Sequence, residues 1–503
     1  MATPVPVDGS AAGWKPEGVS DWFLPETERP WTAGNLVVPR LHGVDYFARL
    51  LEVIGATEAG DRIFFTDWRG DADERLSEDG PTVAELLRSA AARDVEVRAL
   101  MWRSHPGQLN GEENGHLGRI INECGGEALL DERVRRGGSH HQKLLVVRRK
   151  GRPEEDVAFV GGIDLCYSRR DDAEHGGDPQ AAPLDDRYGD TPPWHDAMAE
   201  IRGPAVAHVL DTFTERWDDG TPLDHRNPYR AVAHRIVRMP RHPEPLPERW
   251  DPPPEAGRHQ VQILRTYPRK RPAYPFAPEG ERSIARGYSR AFGRARRLVY
   301  VEDQYFWSDI VATTLADALR REPGLHVIAV VPRYPEDDGR VGGPPFRHGQ
   351  RLAWERLHEA GGDRFAMFDL ENEAGTPIYV HAKVCIVDDH WMTIGSDNLN
   401  LRSWTHDSEL TCAVVDPDDE LPRSLRTTLW AEHLGLPEGD DRLADLDDPM
   451  RLWTERVDAP GSRIRRHVPP ALPRRTTRWA GPVYRAFYDP DGRPRRLRGT
   501  SDF

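Results

Sequence analysis

The chain has 503 residues, a formal net charge of −15 and a mean hydropathy of −0.68. That length fills one large domain or two ordinary ones, and no run of about 18 apolar residues is present to cross a bilayer as a helix. The acidic balance argues against a protein that coats nucleic acid with a basic surface, although residues 461–500 carry eleven Arg against two Asp.

Taken in chain order, the N-terminal stretch MATPVPVDGSAAGWKPEG lacks the basic leader and apolar core of a secretory signal, so cytoplasmic residence is expected. Residues 1–33 read as an extension. A first half, 34–238, opens with the helical pattern VDYFARLLEVIG (44–55) and the strand-length run RIFFTDWRGD (62–71). A second helix, TVAELLRSAAARD (82–94), leads into a second strand, VEVRALMW (95–102). Next come two apolar runs, HHQKLLVV (140–147) and DVAFVGGIDL (156–165), joined by the charged turn RRKGRPEED (148–156). The Pro-rich stretch 239–256 has no periodicity and reads as a linker.

The second half, 257–440, repeats the plan. The helices ARGYSRAFGRARR (285–297) and VATTLADALRRE (311–322) alternate with LVYVEDQYFW (298–307) and LHVIAVVP (325–332). VHAKVCIVDD (380–389) and WMTIGSDNLN (391–400) then match the paired runs of the first half. Residues 441–503 read as a C-terminal extension with a basic tail, suited to an anionic membrane surface or to the protein's own acidic body. Strands alternating with helices, twice over, predict an α/β fold of two similar halves packed around a shared site. Cys124, Cys166, Cys385 and Cys412 are too scattered for a zinc site or a disulfide framework and are expected to be buried free thiols.

Five of the 68 basic residues are lysines, and two of these fall at the same position of the repeat. His141 and Lys143 stand two apart, as do His381 and Lys383. On strands, such a spacing puts each pair on one face. Two imidazoles and two ammonium groups converging on one pocket suit phosphodiester cleavage without a metal. One neutral His attacks phosphorus, the other carries the proton of the leaving or entering oxygen, and the lysines stabilise the non-bridging oxygens.

The duplicated pattern resembles that of the phospholipase D superfamily, HxKxxxxD followed by Gly-Gly or Gly-Ser and then, two residues on, Asn or Asp. The second copy is complete, with His381, Lys383, Asp388, Gly395, Ser396 and Asn398. The first has His141, Lys143, Gly161, Gly162 and Asp164, but Arg148 replaces the motif Asp. The flanks GGIDLCYSR (161–169), PWHDAMAEIRGPAV (193–206), FTERW (213–217), YVEDQYF (300–306) and NLNLRSWTHDSE (398–409) are most similar to the plant and other eukaryotic-type catalytic core. The similarity runs from about residue 60 to 435.

The resemblance implies the phospholipase D fold, two α/β/α sandwich halves with mixed sheets about a pseudo-twofold axis. It implies a phosphohistidine at His141, with His381 as general acid and then base. Lys143, Lys383 and Asn398 would hold the phosphate, with Ser396, the Gly161–Gly162 turn and Asp164 beside it. Asp196 and Glu409 would orient the imidazoles, Asp407 competing with Glu409 for that place. The implied reaction converts a phospholipid to phosphatidic acid with water, or to a transphosphatidylation product with an alcohol. A cardiolipin-synthase-like transferase, a nuclease and a catalytically weak lipid-binding scaffold stand as alternatives.

No metal or cofactor is implied. There is no room for an added calcium-binding module, so calcium dependence is not implied either. The expected partners are the lipid and, transiently, the membrane surface, and no nucleic acid. Arg148 lies at an odd offset from His141, away from the His–Lys face, with Asp156 or Glu155 placed to supply the missing carboxylate. Trp68, Trp194, Tyr305 and Trp307 are candidate walls of a lipid channel or plain core. The loop 333–349 is a candidate flap or an ordinary surface loop.

Overall fold

The computed structural model describes residues 21–103, 110–223, 240, 242–336, 342–457, 459–498, 500 and 502–503. The first twenty residues of the expected extension, 104–109 and 224–238 of the expected first half, 239 and 241 at the start of the expected linker, and 337–341 of the expected flap lie outside the described residues.

Short runs of apolar and β-branched residues form the strands. The first half supplies β1 (Trp31–Leu41), β2 (Arg62–Asp67), β3 (Glu96–Trp102), β4 (Glu127–Asp131), β5 (Leu144–Arg148), β6 (Val157–Gly161), β7 (Trp194–His195) and β8 (Ala197–Arg202). Their order across the sheet is β4-β3-β2-β5-β6-β8-β1, parallel from β4 to β2 and antiparallel thereafter.

The second half supplies β9 (His259–Tyr267), β10 (Glu281–Arg282), β11 (Leu298–Glu302), β12 (His326–Val330), β13 (Phe365–Glu371), β14 (Pro377–Val380), β15 (Val384–Val387), β16 (Trp391–Gly395), β17 (Glu409–Val415) and β18 (Ile464–His467). The order β13-β12-β11-β15-β16-β17-β9 repeats the same succession of parallel and antiparallel neighbours. β18, from the C-terminal extension, adds an outer antiparallel strand to β13. β1 belongs to both sheets. Leu36–Leu41 pairs with β8, whereas Trp31, Thr32 and Asn35 pair with β9, across a register shift between Thr32 and Asn35.

Strand alternation sorts the layers. Leu144 and Val146 of β5 share a central core with Val384 and Ile386 of β15, and helices Ala205–Trp217 and Glu420–Leu434 pack into the same core. Leu145 and Val147 face the other way, onto helices His42–Gly55, Val83–Ala91 and Asn110–Glu123. Cys385 and Val387 do the same toward helices Ser283–Arg294, Asp309–Arg321 and Gly343–Gly361. Helix starts follow local chemistry. Thr82 and Glu85 form a capping box, and Ser308 caps Val311 N–H. Among the described residues no helix is long and apolar enough to cross a membrane.

Three expectations need correction. The His–Lys pairs do not lie on strands but in links just before β5 and β15, where the backbone N–H groups of His141 and His381 bond across to the opposite half. From Gly343 the expected flap is helix, begun by Pro344 and Pro345, whose missing N–H groups cost nothing in a first helical turn. Cys124 is half-buried, although Cys166, Cys385 and Cys412 are buried and all four are free. The described part of the expected linker is irregular but laid on the first half. Glu244 N–H donates to Glu127 at 3.0 Å, and Trp217 Nε1 donates to the Glu244 carbonyl at 2.7 Å.

At the Arg148 position the two halves differ by an exchange of roles. Asp388 accepts the backbone N–H groups of Arg296, Arg297 and Leu298 at 2.7, 2.8 and 2.8 Å, clipping the end of β15 to the start of β11. In the first half the carboxylate sits on the other strand. Asp61, just before β2, accepts Lys150 N–H at 2.8 Å and the Arg149 guanidinium at 3.1 Å. Arg148, buried, donates to buried Asp156 at 2.5 Å and to the Asp251 carbonyl at 2.6 Å. Glu155 pairs with Arg152 instead. Replacing Arg148 with Asp, which would complete the repeat pattern, therefore sets two carboxylates together in a buried place. Arg148→Asp should lower the unfolding free energy by about 3–5 kcal/mol, the usual cost of breaking a buried pair. An unchanged denaturation midpoint would show that the Arg148–Asp156 pair contributes nothing.

Candidate active site

The links that carry the His–Lys pairs are sewn to the opposite half. His141 N–H donates to the Ser408 carbonyl at 3.0 Å, and Ser408 N–H returns to Ser139 at 3.0 Å. In the matching place His381 N–H donates to the His195 carbonyl at 2.8 Å, extending the parallel pairing of β14 with β7. The residue that follows each acceptor is an acid. Glu409 thereby reaches His141, with Oε2 2.9 Å from Nδ1, and Asp196 reaches His381, with Oδ2 2.6 Å from Nδ1. A carboxylate on Nδ1 fixes the tautomer and leaves Nε2 free. Asp407, the competitor, is engaged elsewhere, accepting Ser139 N–H at 2.8 Å and the Arg402 guanidinium at 2.7 Å.

Both imidazoles line one cavity of about 810 Å³, together with Asp164, Arg169, Asn398 and Glu409. Trp68, Trp102, Trp194, Tyr305 and Trp307 form its aromatic walls. Trp68 stands edge-on to His141, the Trp194 ring lies 5.0 Å from that of His381, and the Arg169 guanidinium lies over the Trp194 ring at 3.9 Å. Lys143 and Lys383 are buried beneath. Each folds back on its own motif. Lys143 Nζ donates to the His141 carbonyl at 3.2 Å and lies 3.5 Å from Asp164, while Lys383 Nζ donates to the His381 carbonyl and, at 3.2 Å, to Gln304.

The remaining sequence-derived residues fall in different places. Ser396 sits behind the cavity, its hydroxyl donating to Glu409 Oε2 at 2.6 Å. Gly162 makes room for an acid, since a Cβ there would lie 2.0 Å from Asp196 Oδ1. Asp164 accepts Trp68 N–H at 2.9 Å and faces Lys143. Asn398, its counterpart in the repeat, lines the cavity with a buried Oδ1 that has no hydrogen-bond partner among the described residues. No part of Arg148 lines the cavity.

The electrostatics separate the two imidazoles. Burial, with Lys143 and then Lys383 adding to it, pushes His141 well below the ordinary His range, and burial with Lys383 does the same to His381. Burial alone would raise Asp196, but the hydrogen bond from His381, the Lys383 charge and the Ala197 N–H overcome it and hold this carboxyl well below its usual range. Burial instead pushes Glu409 up to about 7, against the Ser396 hydrogen bond. Burial also brings Lys383 down to about 8. His141 is therefore a neutral base beside a carboxyl that titrates near neutrality, and His381 is backed by a fixed anion.

Several residues of this site were not assigned from sequence. Gln304 bridges Lys383 to the Tyr379 hydroxyl, and Asp303, raised by burial to about 6, accepts N–H groups from Tyr305, Phe306 and Leu399. Both stand in the quoted flank YVEDQYF, which was the available signal. Behind Asp196, His42, His175, His195 and Glu432 bring ligand-type atoms within 4.8 Å of one another, and His195, Glu302 and His433 form an adjoining set. Imidazoles and carboxylates of this kind suit a divalent cation of the zinc class. They already bond among themselves, with His42 2.9 Å and His175 3.0 Å from Glu432, and His195 2.7 Å and His433 2.8 Å from Glu302. Their positions are scattered over 390 residues and carry no ligand-spacing signature.

The phospholipase D family profile matches residues 127–315, and the profile described as cardiolipin synthase, PLD-like domain, matches residues 288–429. The chain is 26% identical over 519 residues to phospholipase D alpha 2 of Oryza sativa subsp. japonica, covering 74% of this chain and 62% of that protein. It is 28% identical over 524 residues to phospholipase D beta 2 of Arabidopsis thaliana, covering 74% of this chain and 55% of that one. The chain thus spans between half and two thirds of the length of these relatives. Among solved structures it is similar in fold to phosphatidylserine synthase of Haemophilus influenzae, at 15% identity and a TM-score of 0.51, covering 78% of this chain and 85% of the other. A duplicated sheet with a His–Lys pair at the same place in each copy, matched by these profiles and relatives, makes the chain a member of the phospholipase D superfamily.

Proposed function

We propose that the chain is a phospholipase D-type phosphodiesterase acting on the terminal phosphodiester of a phospholipid. The observation that carries this reading is one cavity lined by two imidazoles, each bonded at Nδ1 to a carboxylate from the opposite half, with buried Lys143 and Lys383 one residue back from its surface, against the lining residues Asp164 and Gln304. His141 Nε2 attacks phosphorus, and the bond from phosphorus to the headgroup oxygen breaks. His381 Nε2 gives that oxygen its proton, leaving a phosphatidyl-histidine. His381 then takes a proton from water or an alcohol as its oxygen attacks phosphorus, and His141 is released as a neutral imidazole. Each step conserves the proton between His381 and the two oxygens.

The anion Asp196 stabilises the imidazolium form of His381 when the substrate's own negative charge offsets the lysines. Lys143, Lys383 and Asn398 stabilise the charge on the non-bridging oxygens. Ser396 and Gly162 act on the acids, and Asp164 sets Lys143. A transfer reaction of the cardiolipin-synthase kind is the second reading, favoured by the match of residues 288–429 to that profile.

The discriminating assay offers phosphatidylcholine, cardiolipin and single-stranded DNA in parallel with EDTA present. Choline release supports the proposal, and added glycerol or phosphatidylglycerol would divert product if transfer dominates. Cleavage of DNA alone, or of nothing, would sink it. His141→Ala should form no acid-labile phosphoenzyme, and a label that persisted would move the nucleophile elsewhere. His381→Ala should lower kcat roughly 10²–10⁴-fold on a choline ester, and less on a p-nitrophenyl ester, whose leaving group needs no proton. An equal loss on both would exclude His381 as the acid.

The pH profile of kcat/KM should be a narrow bell. As pH falls through about 7 the Glu409–His141 pair takes up a proton and Nε2 is no longer free. As pH rises through about 8 Lys383 loses its charge. Lys383→Arg should lower the plateau and remove the alkaline limb, and a limb that stayed would belong to another group. Gly162→Ala, by displacing Asp196, should cost kcat about 10²-fold with little change in KM, following the price of a misplacement of about 1 Å.

A further inference from the structure

Among the described residues the exposed large apolar side chains are Val44, Val468, Trp479 and Phe487, and the last three lie on the C-terminal extension. Helix Arg474–Val483 and the wide turn Tyr484–Tyr488 that continues it are two-faced. The inner face is Ala480, Gly481 and Tyr484, all buried. The Tyr484 hydroxyl donates to the Trp307 carbonyl at 2.5 Å, and its ring lies where a Cβ on Gly349 would stand, 2.3 Å away. The outer face presents Arg475, Arg478, Trp479 and Arg485, with Phe487, 70% exposed, at its end.

Three observations bear on what this face meets. First, no carboxylate among the described residues lies within ion-pair distance of Arg475, Arg478 or Arg485, in a chain of net charge −15 whose other arginines are largely paired. Second, Ala486, Phe487 and Tyr488 form part of the rim of the catalytic cavity. Third, that rim is fixed to the motif itself. Asp489 accepts Leu401 N–H at 2.7 Å and Arg402 N–H at 3.2 Å, and the Arg402 guanidinium donates to the Phe487 carbonyl at 2.8 Å, three to four residues beyond Asn398.

We propose that this face, with Trp479 and Phe487 inserted at headgroup depth and Arg475, Arg478 and Arg485 over the phosphates, is where the protein rests on an anionic lipid bilayer. The proposal builds on the phospholipid reading above. A basic amphipathic helix with aromatic side chains suits the interface in charge and in shape, and indole rings favour that depth. Because the rim is bonded to the segment after Asn398, docking presents the cavity mouth to the bilayer in a fixed orientation, and a headgroup need travel only from the surface to the imidazoles. The acidic body, repelled by the same surface, keeps the other faces away.

The test is flotation of the full chain with vesicles of phosphatidylcholine alone and of phosphatidylcholine mixed with phosphatidylglycerol, at low and high salt. Wild-type protein should float with the mixed vesicles, more at low salt. Arg475→Glu/Arg478→Glu and, separately, Trp479→Ala should each weaken that binding, the charge reversal by roughly tenfold or more. Turnover of a dibutyryl phosphatidylcholine, dispersed as monomers, should be unchanged in both, which also shows that they fold. Binding that survives both variants, or a wild type that binds no vesicles, would overturn the proposal. Wild-type protein that floats yet cleaves no phospholipid, monomeric or bilayer, would overturn the functional reading and leave the docking surface standing.

Discussion

The imidazole of each His–Lys pair is held by a carboxylate that belongs to the other half of the chain. The geometry of that exchange is set by the backbone one residue earlier. Ser408 and His195 accept the N–H groups of His141 and His381, so Glu409 and Asp196 arrive already at the right height. Two further details serve the same contacts. Gly162 leaves the space that Asp196 Oδ1 fills, and the Ser396 hydroxyl holds Glu409 from behind. The sheets, their register and the packing of their inner faces are therefore all upstream of two hydrogen bonds. Neither half closes a site alone.

Dryness then shapes the charges. In a chain whose cations are mostly arginine, the two positions under the cavity are lysines. An ammonium is compact enough to fold back on the carbonyl two residues before it, as Lys143 and Lys383 both do, while a guanidinium fork demands a planar partner and does not titrate. Burial, with the lysines adding to it, depresses both imidazoles, so neutral His is the resting form on either side. What distinguishes the two is the acid behind each, since Asp196 stays ionised and Glu409 titrates near neutrality. One fold operation, applied twice, thus yields two unlike groups.

The duplicated plan was legible because period, element order and the rarity of lysine all repeat in the sequence. Asp196 and Glu409 came from the resemblance rather than from spacing, and the structure sets them 2.6 and 2.9 Å from His381 and His141. What escaped were features made by residues remote in sequence. Strand parity predicts His141 and Lys143 on one face of a strand, yet the link that holds them bonds to the far half, where strand geometry within one sheet gives no guidance. Of the two acids expected to make up for Arg148, Asp156 bonds it and Glu155 does not, while Asp61, just before β2 and nearly 90 residues away, was not foreseen. The histidines behind Asp196 meet only in three dimensions, and Ser396 and Gly162, expected beside a phosphate, stand behind the acids.

The double membership of β1 limits how this molecule can move. A strand hydrogen-bonded to β8 along one part and to β9 along the other ties the sheets like a staple. Swinging the halves apart would strip ladder bonds and expose unpaired backbone groups. Opening the halves by a large hinge motion would therefore have to break this shared strand first, which favours a fixed spacing of the two imidazoles. A ligand on its way to the imidazoles therefore passes the aromatic and C-terminal rim of the cavity rather than a cleft opened between the halves.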